Sequence, residues 1–163
     1  MPDKDLTKLF DERRIEAVLI DYCAYLDRMD LAALSALFTE DCTVIYGDNP
    51  ALRSQGRAAL VTSLARMWRW ARTAHHLSNP RIRFTDEYRA ETESHVLAWH
   101  EAPDGRTATL FGRYLDRLEK QGGDWRIAER RMDMNGADSG FTLPLPRAPR
   151  AAPPVGWQKP EGL

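Results

Sequence analysis

Apolar positions recur at steps of three and four between Phe10 and Asp30, where Ile15, Val18, Leu19, Tyr22 and Leu26 fall on one stripe. That spacing predicts an amphipathic helix. Asp30 stands where an N-cap would open a short second helix from Leu31 to Phe38, with Leu34 and Leu37 apolar. The stretch Cys42 to Tyr46 is rich in β-branched and aromatic residues and predicts a strand, closed by the turn residues Gly47, Asp48, Asn49 and Pro50. A third helix follows Gly56 and runs through Leu60, Leu64, Met67 and Trp68. From Thr73 onward the pattern changes to strands. The first spans His75 to Phe84 and is interrupted by Pro80. In the next, Ala90 to Glu101, alternation puts Thr92, Ser94, Val96, Ala98 and His100 on one face. Thr107 to Lys120 and Asp124 to Asn135 follow, each after a short turn, so these strands should pair antiparallel as a meander.

Helices first and then a run of long antiparallel strands is the order of an α+β fold. A long bent sheet with helices across one face leaves an opening at one end, where pockets commonly sit. The expected organisation is one domain over residues 1–136, a cone-shaped half-open barrel. A C-terminal arm follows over 137–163, with six prolines from Pro144 onward. Proline fixes φ and removes a donor, so an irregular extended segment is expected there.

Length changes this picture little: 163 residues suit one domain with a real core. Charge narrows it more. The formal net charge is −1 and the basic residues are scattered, which argues against a nucleic-acid surface, since phosphates call for a basic stripe. No apolar run approaches the roughly 20 residues of a membrane helix, and the charged opening MPDKDLTKLFDERR has no signal-peptide core. Cys23 and Cys42 lie in apolar contexts without metal-type spacing, which reads as two buried thiols in a reducing cytoplasm. No metal triad, glycine-rich phosphate loop or nucleophile elbow is present in the sequence, so neither metal nor cofactor is expected.

The residues left to carry chemistry are Tyr22, Asp27 and His75. Tyr22 lies on the apolar stripe, so its hydroxyl needs a partner or a pocket. Asp27 is five residues on, roughly 140° around the helix and near the stripe's edge. A carboxylate there can orient an imidazole that acts as a general base. Each residue also has an ordinary role open to it: core packing for Tyr22, local pairing with Arg28 for Asp27, and strand structure for His75 and His76. His95 and His100 lie five apart on one strand and face opposite sides; a packing or surface role is the reading favoured for both.

The order of these fragments, DYCAYLDRMDLAALSALFTEDCTV, AHHLSNPRIRF and GRYLDRLEKQGGDWRIAERRMDMN, resembles the SnoaL-like branch of the nuclear transport factor 2 superfamily over about Glu12 to Asn135. Within it the chain is similar to scytalone dehydratase, hexachlorocyclohexane dehydrochlorinase and bile acid 7α-dehydratase. The resemblance implies an Asp–His dyad inside the cone, with a Tyr assisting, that removes a proton while a leaving group departs. It carries over to Tyr22, Asp27 and His75. Counting back from Asn79, Pro80 and Ile82 selects His75, while a shift of one residue selects His76. An Arg of the closing strand falls on Arg130; Arg131 points to the opposite face, and the choice between them stays open. Tyr46, Trp68, Trp70 and Phe111 are candidate apolar walls, with His76 and Arg130 as further binding residues. The implied function is a cofactor-independent lyase on a small, largely apolar cyclic substrate. The alternatives are isomerase or hydrolase chemistry in the same pocket, or a scaffold subunit like the small subunit of ring-hydroxylating dioxygenases. A homo-oligomer, dimer or trimer, is expected from the barrel's open apolar side.

Overall fold

The computed structural model describes residues 2–47, 49–139, 152 and 154–158. α1 (Pro2–Arg28) and α2 (Leu31–Ala36) lead into β1 (Phe38–Ile45), β2 (Arg53–Gln55) and α3 (Arg57–Leu64). The long strands β3 (Arg72–Phe84), β4 (Arg89–Glu101), β5 (Thr107–Gln121) and β6 (Asp124–Ser139) follow, and 3₁₀ turns occupy Pro50–Leu52 and Ala65–Arg69. The strands form one sheet in the order β2-β1-β6-β5-β4-β3. β3 to β6 are the antiparallel meander expected from the turns, and β1 closes on β6 in parallel. The fold is α+β, with N-terminal helices against a curved, unclosed, mostly antiparallel sheet.

The predicted stripe is the face α1 buries: Ile15, Leu19, Tyr22 and Leu26 are all sealed from solvent. Each apolar side chain so buried contributes about 1.5–3 kcal/mol. The helix stops abruptly. Met29 takes a left-handed φ of 55°, its N–H donates to the Leu26 carbonyl and the Asp30 N–H to the Tyr25 carbonyl. This is the paired bonding of a Schellman cap, and it leaves Asp27 in the last turn, over the start of β3. Asp30 then caps α2 by accepting from the Ala33 N–H at 3.0 Å.

Phe38 opens β1 rather than closing α2, and the three-residue β2 carries too short a pattern to be seen in the sequence. Pro80 sits within β3 because β3 is an edge strand and the register shifts beside it, between Ser78 and Arg81. The inner face of β4 is the predicted one, with Thr92, Ser94, Val96, Ala98 and His100 buried.

β6 departs from simple alternation. Ile127 pairs with Leu118 and Glu129 with Arg117, so Ala128 is an extra residue. A bulge of this kind moves every later side chain to the other face. Trp125 and Ile127 point inward before it; Arg130, Met132 and Met134 do so after it. A second shift follows near Gly112, where an added Cβ would lie 2.8 Å from the Asp133 carbonyl oxygen. β6 continues to Ser139, past the Asn135 at which the sequence pattern ends. Residues 140–151, 153 and 159–163 of the expected arm, and Asp48 of the expected turn, lie outside the described residues.

Candidate active site

The last turn of α1 and the first residues of β3 meet through one carboxylate. Asp27 Oδ1 lies 2.6 Å from His75 Nδ1 and accepts from the Thr73 hydroxyl at 2.8 Å. Asp27 Oδ2 accepts the His75 backbone N–H at 2.8 Å, a donor that an edge strand need not spend on a neighbouring strand. Burial alone would raise the Asp27 carboxyl. The hydrogen bonds from the His75 ring and backbone, the His75 charge and the Thr73 hydroxyl outweigh it and hold the group below its ordinary value. An ionised carboxylate only accepts, so Nδ1 must carry the proton. Nε2 makes no hydrogen bond to a described residue, and His75 faces a cavity of about 100 Å³.

That cavity lies between α1, the 3₁₀ turn after α3 and the inner face of the sheet. Tyr22, Tyr46 and Tyr114 line it. The Tyr22 and Tyr46 hydroxyls share a short hydrogen bond. Burial pushes both phenols up, and the Arg130 charge only partly opposes it. Both therefore keep their protons, and two O–H groups sharing one mutual bond leave one O–H to donate elsewhere.

His100 stands beside His75, ring centroids 5.4 Å apart and edge to face, because Thr73 pairs with His100 and Ala98 with His75 across the two strands. Its other neighbour is Trp70, at 5.1 Å. Burial, then the nearby His75 charge, pushes His100 down to about 4, so it is neutral at physiological pH. Its Nδ1 is buried with no partner among the described residues. The sequence put His100 on one face of β4 with Val96 and Ala98 but favoured a packing or surface role for it. The cross-strand register that sets it against His75 is not visible in a single strand's pattern.

The sequence candidates separate clearly. Tyr22, Tyr46, Trp70 and His75 come together at the cavity. His76 follows His75 on β3, points the other way and is exposed. Trp68 lies outside the cavity and is 66% exposed. At three residues per turn, Leu64, Met67 and Trp70 share the inward side instead. Phe111, 45% exposed, is on the outer face of β5, between the inward Leu110 and Gly112.

Arg130, rather than Arg131, turns inward, but it does not line the cavity. It donates to Asp116 through Nε at 2.8 Å and Nη2 at 2.7 Å, and both side chains are fully buried. Its guanidinium lies 4.0 Å from the Tyr22 ring centroid and 4.2 Å from that of Tyr114. It thus sits behind the tyrosines that form the cavity wall.

A curved, unclosed sheet around N-terminal helices, with a polar-tipped cavity between them, defines the nuclear transport factor 2-like class of α+β proteins. Residues 7–131 match the SnoaL-like domain, and the chain belongs to that family. It is similar to a candidate scytalone dehydratase from Novosphingobium aromaticivorans DSM 12444, at 32% identity over 93% of this chain and 100% of that one, with a TM-score of 0.84. It shares its fold with a type 2 hexachlorocyclohexane dehydrochlorinase, LinA (17% identity, 93% and 99% covered, TM-score 0.76). The same holds for the beta subunit of a candidate aromatic-ring-hydroxylating dioxygenase from N. aromaticivorans DSM 12444 (19%, 78% and 90%, TM-score 0.66). No curated protein matches the chain. Family and fold together support a small-molecule-binding enzyme of the nuclear transport factor 2-like kind. Among the described residues no helix is long and apolar enough to cross a membrane.

Proposed function

We propose that the protein is a cofactor-independent lyase that eliminates water, or another small leaving group, from a small and largely apolar cyclic substrate. The observation that carries this reading is the Asp27–His75 contact at 2.6 Å with Nε2 left open at the cavity. Nε2 takes a proton from a substrate carbon. The electron pair of that C–H bond becomes the new double bond as the C–O bond breaks, and the departing hydroxide takes back the proton from the imidazolium and leaves as water. Asp27 fixes the tautomer that makes Nε2 the base and balances the charge of the imidazolium that forms. The spare O–H of the Tyr22–Tyr46 pair donates to the oxygen on which negative charge develops.

His100 stays neutral beside His75, so it adds no second positive charge to the ring that must accept a proton. The mostly apolar lining, with Leu26, Leu52, Leu64, Met67, Leu110 and Met132, suits a hydrocarbon ring and excludes bulk water. A scaffold subunit needs neither a cavity nor an imidazole held ready at its wall, which favours catalysis. The homo-oligomer expected from the sequence remains part of the proposal. Leu97 and Phe111, cross-strand partners both exposed on the outer face, are the apolar surface it would cover.

The test is turnover of scytalone and a panel of small cyclic alcohols bearing an acidic C–H, followed by product mass. Loss of water mass supports elimination, whereas unchanged or increased mass points to isomerase or hydrolase chemistry. His75→Ala should abolish turnover with the fold intact, and full activity in that variant rejects the assignment.

A further inference from the structure

The cavity's charge is one-sided. Arg66 and Arg69 both line it, and among the described residues no Asp or Glu does. Both sit on the 3₁₀ turn Ala65–Arg69, where residues three apart eclipse one another, so the two side chains rise from the same edge of the turn. Each guanidinium lies against an aromatic wall, Arg66 at 5.3 Å from the Tyr46 ring centroid and Arg69 at 4.8 Å from that of Trp70. A cation over a ring face is attracted by the π-system, and that contact spends no N–H donor. The single tie on Arg66 is Nη1, which donates to the Ser63 carbonyl and hydroxyl. Among the described residues neither arginine makes an ion pair, and Arg69 makes no side-chain hydrogen bond. Partial burial, then the charge of Arg66, lowers the Arg69 guanidinium. Among the described residues two like charges are thus held together without a counter-ion, although other arginines of the chain, at 72, 83, 106, 113, 117 and 130, each have a carboxylate within reach.

We propose that Arg66 and Arg69 form the seat for a carboxylate carried by the substrate, so that the ligand is a small cyclic organic acid whose ring enters the cavity toward His75. This rests on the reading of the cavity as a substrate site and names the chemical class of what it takes. A guanidinium fork matches the two oxygens of a carboxylate. Asp27 is not available as an internal substitute, since its oxygens are committed to His75 and Thr73.

The test is equilibrium binding of benzoate and of its neutral isostere benzamide at low ionic strength, read by Trp fluorescence or ligand-observed NMR. Wild-type protein should bind benzoate about five- to tenfold more tightly than benzamide, the range for a charge-assisted contact screened by a partly open site. The preference should shrink in Arg69→Gln, vanish in Arg66→Gln/Arg69→Gln, and weaken with added salt. Equal binding of the two probes, no benzoate binding, or a preference that survives in the double variant overturns the proposal. Competition with inorganic phosphate distinguishes the source of the anion: displacement of benzoate at equal or lower concentration overturns the carboxylate assignment in favour of a phosphoryl group. His75→Ala should keep the benzoate preference. A failed anion seat and a failed assignment of the base therefore give different results.

Discussion

Two carboxylate–base pairs stand on the inner side of the sheet, and they are built to opposite specifications. Arg130 and Asp116 are bidentate and fully buried, with the guanidinium against the Tyr22 and Tyr114 rings. Burial alone would lower the guanidinium, but the Asp116 charge and hydrogen bonds more than reverse that, so Arg130 stays charged. Asp27 and His75 join through one ring nitrogen, and the other nitrogen is left at a cavity. The first pair uses its polar capacity inside the protein, apart from Arg130 Nη1, which has no partner among the described residues. The second keeps a basic atom in reserve on the ligand's side. A buried charge is therefore not by itself a sign of chemistry; an unspent atom facing an open volume is the better sign.

Breaking each pair should affect a different property. Asp116→Ala leaves the Arg130 charge buried without its counter-ion and should cost about 3–5 kcal/mol of stability, read by urea denaturation. His75→Ala should lower turnover by roughly 10²–10⁴-fold, the usual contribution of a positioned general base, with an unchanged circular dichroism spectrum. If Asp116→Ala left stability unchanged, or His75→Ala unfolded the protein, the contrast between the two pairs would be lost.

His100 sharpens the comparison by its pH response. Its folded-state value, about 4, lies below the ordinary 6.5, so the stability it contributes is complete above pH 6.5 and is lost as pH falls toward 4. The size is on the order of 3 kcal/mol. The loss between those pH values should be largely absent in His100→Gln. The Asp27 carboxyl, held below its ordinary value, loses its own contribution only at lower pH, as the solution falls through its folded-state value. Gly112→Ala should have the smallest effect, about 1–3 kcal/mol. The new Cβ would meet the Asp133 backbone oxygen at 2.8 Å, which cannot withdraw as a flexible side chain could.

The sequence made most of the architecture legible because the periodicities are strong. The α1 stripe, the inward face of β4 and the short turns of the meander were all readable, as were Tyr22, Tyr46, Asp27 and His75 as candidates. What escaped it depended on register. One extra residue at Ala128 decides between Arg130 and Arg131, and a bulge has no signature in an alternation pattern. Of the two candidate tryptophans, the 3₁₀ geometry after α3 keeps Trp70 at the wall, turns Trp68 away and brings Arg66 and Arg69 in; continued α-helical spacing through Trp68 does not show this. His100 needed the pairing of β3 with β4 before it could be placed beside His75.

The most direct measurement is the nitrogen spectrum of the His75 imidazole in its neutral form, by long-range ¹H–¹⁵N correlation. The account predicts a proton on Nδ1, bonded to Asp27, and a bare Nε2, with the Nδ1–H signature weakened in Asp27→Asn. A proton resident on Nε2 in the wild-type protein, unchanged in Asp27→Asn, would contradict it.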